Sequence, residues 1–109
     1  MIDNKEQTTV FKLDQIANIR NISNIHSEIS SALSSSPALT LDLADVPDVD
    51  LSFVQLLESA RLQASLEGKQ LTLSQPASGT LLDVLRRAGV IETASPEDAQ
   101  FWLHKGSVQ

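Results

Sequence analysis

Residues 39–57 read LTLDLADVPDVDLSFVQLL. Leu39, Leu41 and Leu43 alternate with Thr40 and Asp42, the two-residue period of a strand that covers one face. Its apolar end marks it as a central strand over Ala38–Leu43. Asp45, Pro47, Asp48 and Asp50 then make an acidic turn. From Leu51 the period changes to that of a helix: Phe53, Leu56, Leu57, Ala60 and Ala64 fall along one stripe when drawn at 100° per residue. That helix is predicted to run to Glu67, with Gly68 as its stop. A strand that feeds a helix through a short turn is the building unit of an α/β layer.

The flanking sequence repeats the pattern. Thr8–Leu13 is β-branched and aromatic, as a first strand requires, and follows a polar tail of about residues 1–7. Gln15–Ile19 is expected to add a short second strand. Ile22, Ile25, Ile29 and Leu33 recur at helical steps behind Asn21, a candidate cap. The serine-rich run SSALSSSP over 30–37 frays that helix, and Pro37 lies beyond its end. Lys69–Ser74 reads as a further strand. Ser78 caps a third helix carrying Leu81, Val84, Leu85 and Ala88 and ended by Gly89, and Val90–Ile91 is expected to form a brief edge strand. Ser95-Pro96-Glu97-Asp98 has a cap, a proline at the first helical position and acids in the first turn. It opens an accessory C-terminal helix over about 95–105, with Ala99, Trp102 and Leu103. The expected fold is α/β, with a four- to five-stranded mixed, mainly parallel sheet and helices packed mainly on one side.

A chain of 109 residues has room for one core, so a single domain over 1–109 is expected. Its net charge of −6 disfavours phosphate backbones and anionic lipid as partners, so no nucleic acid is expected. The absence of cysteine excludes disulfides and thiolate chemistry and fits a reducing compartment. No signal peptide and no apolar run long enough to span a membrane can be read, which points to a cytoplasmic protein without direct membrane insertion.

Ser52 stands where the long helix begins. Unpaired amides and the helix dipole favour negative charge at such a position, so a hydroxyl there suits the addition of a phosphate. A phosphate adds about −1.5 to −2 charge. It would meet Asp48 and Asp50, so modification changes the local field far more than it stabilises the helix. A serine that only caps the helix is the plain alternative. The side opposite the buried stripe presents Ser52, Gln55, Ser59, Leu62 and Leu66. Two leucines four residues apart on an outward stripe suit a protein partner, unless a neighbouring helix covers them.

These segments resemble the STAS domain, the fold of sulfate transporters and anti-sigma-factor antagonists. Asp42-Leu43-Ala44-Asp45-Val46 is similar to the family's strand-end D-L-S-x-V, and Asp50-Leu51-Ser52-Phe53-Val54 to its D-S-S-G-L phosphoacceptor motif. ASLEGKQLTL at 64–73 and LDVLRRAGV at 82–90 are similar to its later helix-end and closing-helix passages. The likeness covers about Phe11 to Val90. Phe53 departs from it where most antagonists have glycine, and Leu51 where they have a small polar residue. The wording D-x-S-F-V-Q-L-L looks most like the small stand-alone members that accompany bacterial chemotaxis and signalling genes. The resemblance implies a non-enzymatic binding module without a cofactor. Its implied partner is a serine kinase of the anti-sigma type or another signalling protein, released by phosphorylation of Ser52. Asp48, Asp50, Ser52, Gln55, Ser59 and Leu62 would form the contact surface. A lipid-transport branch of the family implies the alternative, a constitutive subunit of an ABC transporter or chemotaxis assembly. Self-association as a homodimer is left open.

Other constellations are weaker. Asp42, Asp45, Asp48 and Asp50 invite a metal, but a calcium loop begun at Asp48 meets Phe53 where glycine is required and Ser59 where the bidentate glutamate belongs. A receiver-type magnesium site lacks its acidic pair, since Leu13-Asp14-Gln15 offers one acid. No metal is expected. Ser52 and His26 lack the G-x-S-x-G elbow of a hydrolase, and the four glycines do not cluster into a phosphate loop.

Overall fold

The computed structural model describes residues 8–105; the tail expected over residues 1–7 lies outside them. Strand β1 (Thr8–Lys12) leads to α1 (Ile22–Ser34), β2 (Ala38–Asp42) to α2 (Leu51–Leu66), and β3 (Gln70–Leu73) to α3 (Gly79–Arg87) and α4 (Pro96–Leu103). The strands lie in the order β1-β2-β3, and both pairs are parallel. Thr9, Leu39 and Leu71 share a row, as do Phe11, Leu41 and Leu73. The leucines of these rows are buried, against Phe53, Leu57, Ile25 and Ile29 from α1 and α2. The opposite face carries Val10, Thr40 and Thr72 in one row. There Val10 is 63% exposed, and the Thr40 and Thr72 hydroxyls lie 3.1 Å apart.

Among the described residues, three parallel strands replace the four or five mixed strands expected from the sequence. Gln15–Ile19 contributes a single bridge, Ala17 to Val49. The side chains of two asparagines turn the chain there: Asn18 Oδ1 accepts from the Arg20 amide at 2.9 Å, and Asn21 Oδ1 accepts from the Asn18 amide at 3.0 Å. Asn21 is the first cap of α1 by position, yet its side chain serves this turn and not the helix amides. Val90–Ile91 lies in turns, with the Val90 amide on the Leu85 carbonyl at 3.0 Å. Gly89 exits α3 at φ 80°, a backbone angle that side chains resist.

The capping box read at Ser95 is present: Ser95 Oγ accepts from the Asp98 amide at 3.1 Å, and the Asp98 carboxylate accepts from the Ser95 amide. The helix it starts buries Ala99, Phe101 and Trp102. Glu58 on α2 accepts from the Trp102 indole N–H at 3.1 Å. Arg61 bonds Glu58 and Asp98 and lies 4.5 Å over the Phe101 ring. The polar side of α2 and the start of α4 are thereby joined. No helix among the described residues is long and apolar enough to cross a membrane.

Candidate functional site

The acidic turn between β2 and α2 is fully engaged in shaping the chain. Asp42 Oδ1 accepts from the Ala44 amide, Asp45 pairs with Lys12 at 2.8 Å, and Asp48 Oδ1 accepts from the Val49 amide. Asp50 is the cap of α2, in place of the serine read from the sequence. Its Oδ1 accepts from the Ser52 amide at 3.0 Å and from the Ser52 hydroxyl at 2.5 Å, while Oδ2 accepts from the Ile19 amide at 3.0 Å. Burial pushes the Asp50 carboxyl pKa up; the hydrogen bonds from Ser52, Ile19 and Phe53 outweigh it and hold the group below its ordinary value. The helix amide nearest Ser52 is therefore not free for an added anion: a carboxylate already occupies that place. No group of three or more His, Asp or Glu among the described residues stands close enough to hold a metal ion.

Ser52 is the second residue of α2 and is partly buried. At 100° per residue, Leu51, Leu62, Gln55, Leu66, Ser59 and Ser52 follow one another within an arc of about 100°. Gln55 and Ser59 are exposed, Leu62 is 63% exposed and Leu66 78%. No neighbouring helix covers either leucine. Asp48 is exposed just ahead of the helix. Phe53 points the other way, fully buried beneath the helix, so its ring does not stand over Ser52.

Two residues beside this surface escape a sequence reading. Ile16 and Ile19 are exposed, Ile19 by 69%. The Ala17 amide donates to the Asp48 carbonyl at 2.9 Å and the Asp50 amide to the Ala17 carbonyl at 3.1 Å, which fixes their loop against the start of α2. With Leu51 they put three exposed apolar residues on the segments that flank the Asp50–Ser52 pair. The signal was the apolar Ile16 and Ile19 either side of Asn18, which the expectation of a strand absorbed. A groove of about 300 Å³ runs on from Asp50 and Leu51 to Val84, Arg87 and Ala88 at the end of α3.

Residues 1–92 match the family model described as Mlab, STAS domain. No curated protein matches the chain. The matched region takes in the sheet, α1, α2 and α3 and stops short of α4. A match over so much of the sequence, on a fold of strand, acidic turn and capped helix, assigns the family: the chain belongs to the STAS domain family.

Proposed function

We propose that this STAS domain is a non-enzymatic protein-binding module of bacterial signalling, which docks through the outward stripe of α2 and releases its partner when Ser52 is phosphorylated. The observation that carries the reading is the pair Leu62 and Leu66, exposed on the same side of the helix as Gln55, Ser59 and Ser52. Exposed leucines in line with a polar rim suit a protein interface better than they suit water. The partner is a serine kinase of the anti-sigma type or another signalling protein. A phosphate on Ser52 would displace its hydroxyl from Asp50 and set two like charges side by side, which drives the partner off electrostatically.

A second reading is a permanent subunit of a larger assembly, such as a chemotaxis complex or an ABC lipid transporter. The hydrogen bond from the Ser52 hydroxyl to Asp50 favours it, because that hydroxyl already serves the cap.

The test is binding to proteins encoded beside this chain, measured by calorimetry. Leu62→Asp is expected to weaken binding by at least about tenfold, the loss of one interface anchor. It should leave the unfolding free energy within the scatter of surface substitutions, about 0.5 kcal/mol. Under the switch, Ser52→Asp weakens binding far more than Ser52→Ala, and mass spectrometry after incubation with kinase and ATP finds phosphate on Ser52. Equal effects of the two variants leave the permanent subunit standing. Unchanged binding by Leu62→Asp removes the α2 surface from both readings.

A further inference from the structure

The two edges of the sheet are treated differently. At β3, the Leu73 carbonyl points away from β2 and meets the His104 ring at 3.0 Å, and the Ala77 amide just beyond the strand donates to the Trp102 carbonyl at 2.7 Å. Helix α4 thus covers the C-terminal end of that edge with its own C-terminal end. At β1 there is no such cover among the described residues. The Leu13 amide donates to the Asp42 carbonyl, so the backbone groups of Phe11 and Thr9 face β2 in the same sense, while those of Thr8, Val10 and Lys12 face outward. Thr8, Val10 and Lys12 are all exposed, and no described residue bonds their outward amides and carbonyls. An open edge of this kind is a template for another strand, and proteins usually blunt it with proline, a bulge or inward charge. β1, TTVFK, has no proline and no bulge, and its lysine is occupied by Asp45.

We infer that β1 is a self-association edge, where the β1 strand of a second copy of this chain pairs antiparallel about Val10. The sequence of the strand is what selects a second copy. Antiparallel pairing centred on Val10 lets the two valines exchange both N–H···O bonds, and sets Thr8 of each copy opposite Lys12 of the other. No like charges face each other. The chain has a net charge of −6, yet β1 contains no carboxylate, so the edge is a place where two acidic copies meet without opposed acids. A two-fold axis perpendicular to the sheet keeps the helices of both copies on one side. The two open faces, with Val10 beside its counterpart, become one continuous surface. This pairing is independent of the α2 surface and of any phosphate on Ser52.

The test is analytical ultracentrifugation of the full chain over a concentration series, with amide exchange read in parallel. Wild type is expected to reach twice the 11.8 kDa chain mass, with the Val10 amide slowed in exchange as the dimer fills. Added salt should strengthen the dimer, since it screens the repulsion of two acidic bodies. Val10→Lys opposes two lysines at the axis, and Val10→Pro removes the outward donor without touching the β2 ladder. Each is expected to weaken the dimer by at least about tenfold, and the monomers should keep the wild-type circular dichroism. Leu62→Asp should dimerise as wild type does. A wild-type chain that stays monomeric to about millimolar concentration overturns the inference. So does a dimer that survives both Val10 variants, or one that Leu62→Asp abolishes.

Discussion

Asp50 does several structural jobs with one side chain. One carboxylate caps α2, holds the Ser52 hydroxyl and ties the Ile16–Ile19 loop to the helix through the Ile19 amide. Replacing a capping aspartate by alanine costs about 0.5–2 kcal/mol, and Asp50→Ala belongs at the upper end because the Ile19 amide loses its acceptor too. The pH dependence follows from the depressed folded-state pKa. A carboxyl that holds its proton less tightly in the folded than in the unfolded chain contributes stability at pH values above the ordinary carboxylate range. That contribution is lost as pH falls through the ordinary carboxylate range and below it. Urea midpoints of wild type and Asp50→Ala are therefore expected to differ by a constant amount from pH 7 to about pH 5, and to converge in acid. A gap that stays constant to pH 3 would show that the cap does not need its charge. The sequence placed a hydrogen-bonding side chain at this helix start but chose Ser52, because Ser and Asp are equally good caps and only the backbone decides which one lies outside the first turn.

At the scale of the element, α2 was the most legible part of the chain. Its start, most of its buried stripe and its stop at Gly68 follow from period and punctuation; Val54, also buried, lies beside the stripe that the period marks, and the helix ends at Leu66, one residue short of Glu67. What periodicity does not carry is which neighbours reach the exposed side. Leu62 and Leu66 have the same pattern whether α3 covers them or not, and only the placement of α3 leaves them bare. The shorter elements were less legible for a related reason. Gln15–Ile19 has strand composition, but Asn18 and Asn21 offer the backbone a turn, and five residues are too few to outvote it. The departure at Phe53 also belongs to this scale. Most antagonists have glycine there, whereas here a fully buried ring fills the space under α2 beside Leu41 and Leu73. Phe53→Gly removes that ring, worth about 3–5 kcal/mol for Phe→Ala, and adds about 1 kcal/mol for glycine inside a helix. The variant is expected to lose most of its cooperative thermal transition by calorimetry, while Phe53→Leu keeps it. A Phe53→Gly chain as stable as wild type would mean the ring is not part of the core.

For the whole molecule, the decisive question is how three parallel strands survive when, among the described residues, nothing covers one face and two edges remain. Parallel sheets are ordinarily covered on both faces. Here the open face is made tolerable by threonines at Thr40 and Thr72, and the β3 edge by α4. The family match ends before that helix, so the cover over the end of β3 comes from residues that the shared pattern does not include. The sequence announced the helix through Ser95-Pro96-Glu97-Asp98, since a capping box is purely local. It could not announce that the helix would lie on β3, because that depends on Glu58 meeting Trp102 and Arg61 meeting Asp98, each dozens of residues away. Removing residues 94–109 withdraws Phe101 and Trp102 from the core, each worth about 3–5 kcal/mol as an alanine replacement. That is comparable to the about 5–15 kcal/mol that holds a whole domain together. It also uncovers the Leu73 carbonyl and the outer side of β3. The truncated chain is expected to scatter light increasingly with concentration, through strand pairing at β3, and to unfold in urea with a shallow, uncooperative slope. Adding Val10→Pro should not cure that aggregation, because the newly opened edge is at the other side of the sheet. A truncated chain that stays monodisperse and unfolds as steeply as the full one would show that the matched region folds by itself and that α4 is not what guards the edge.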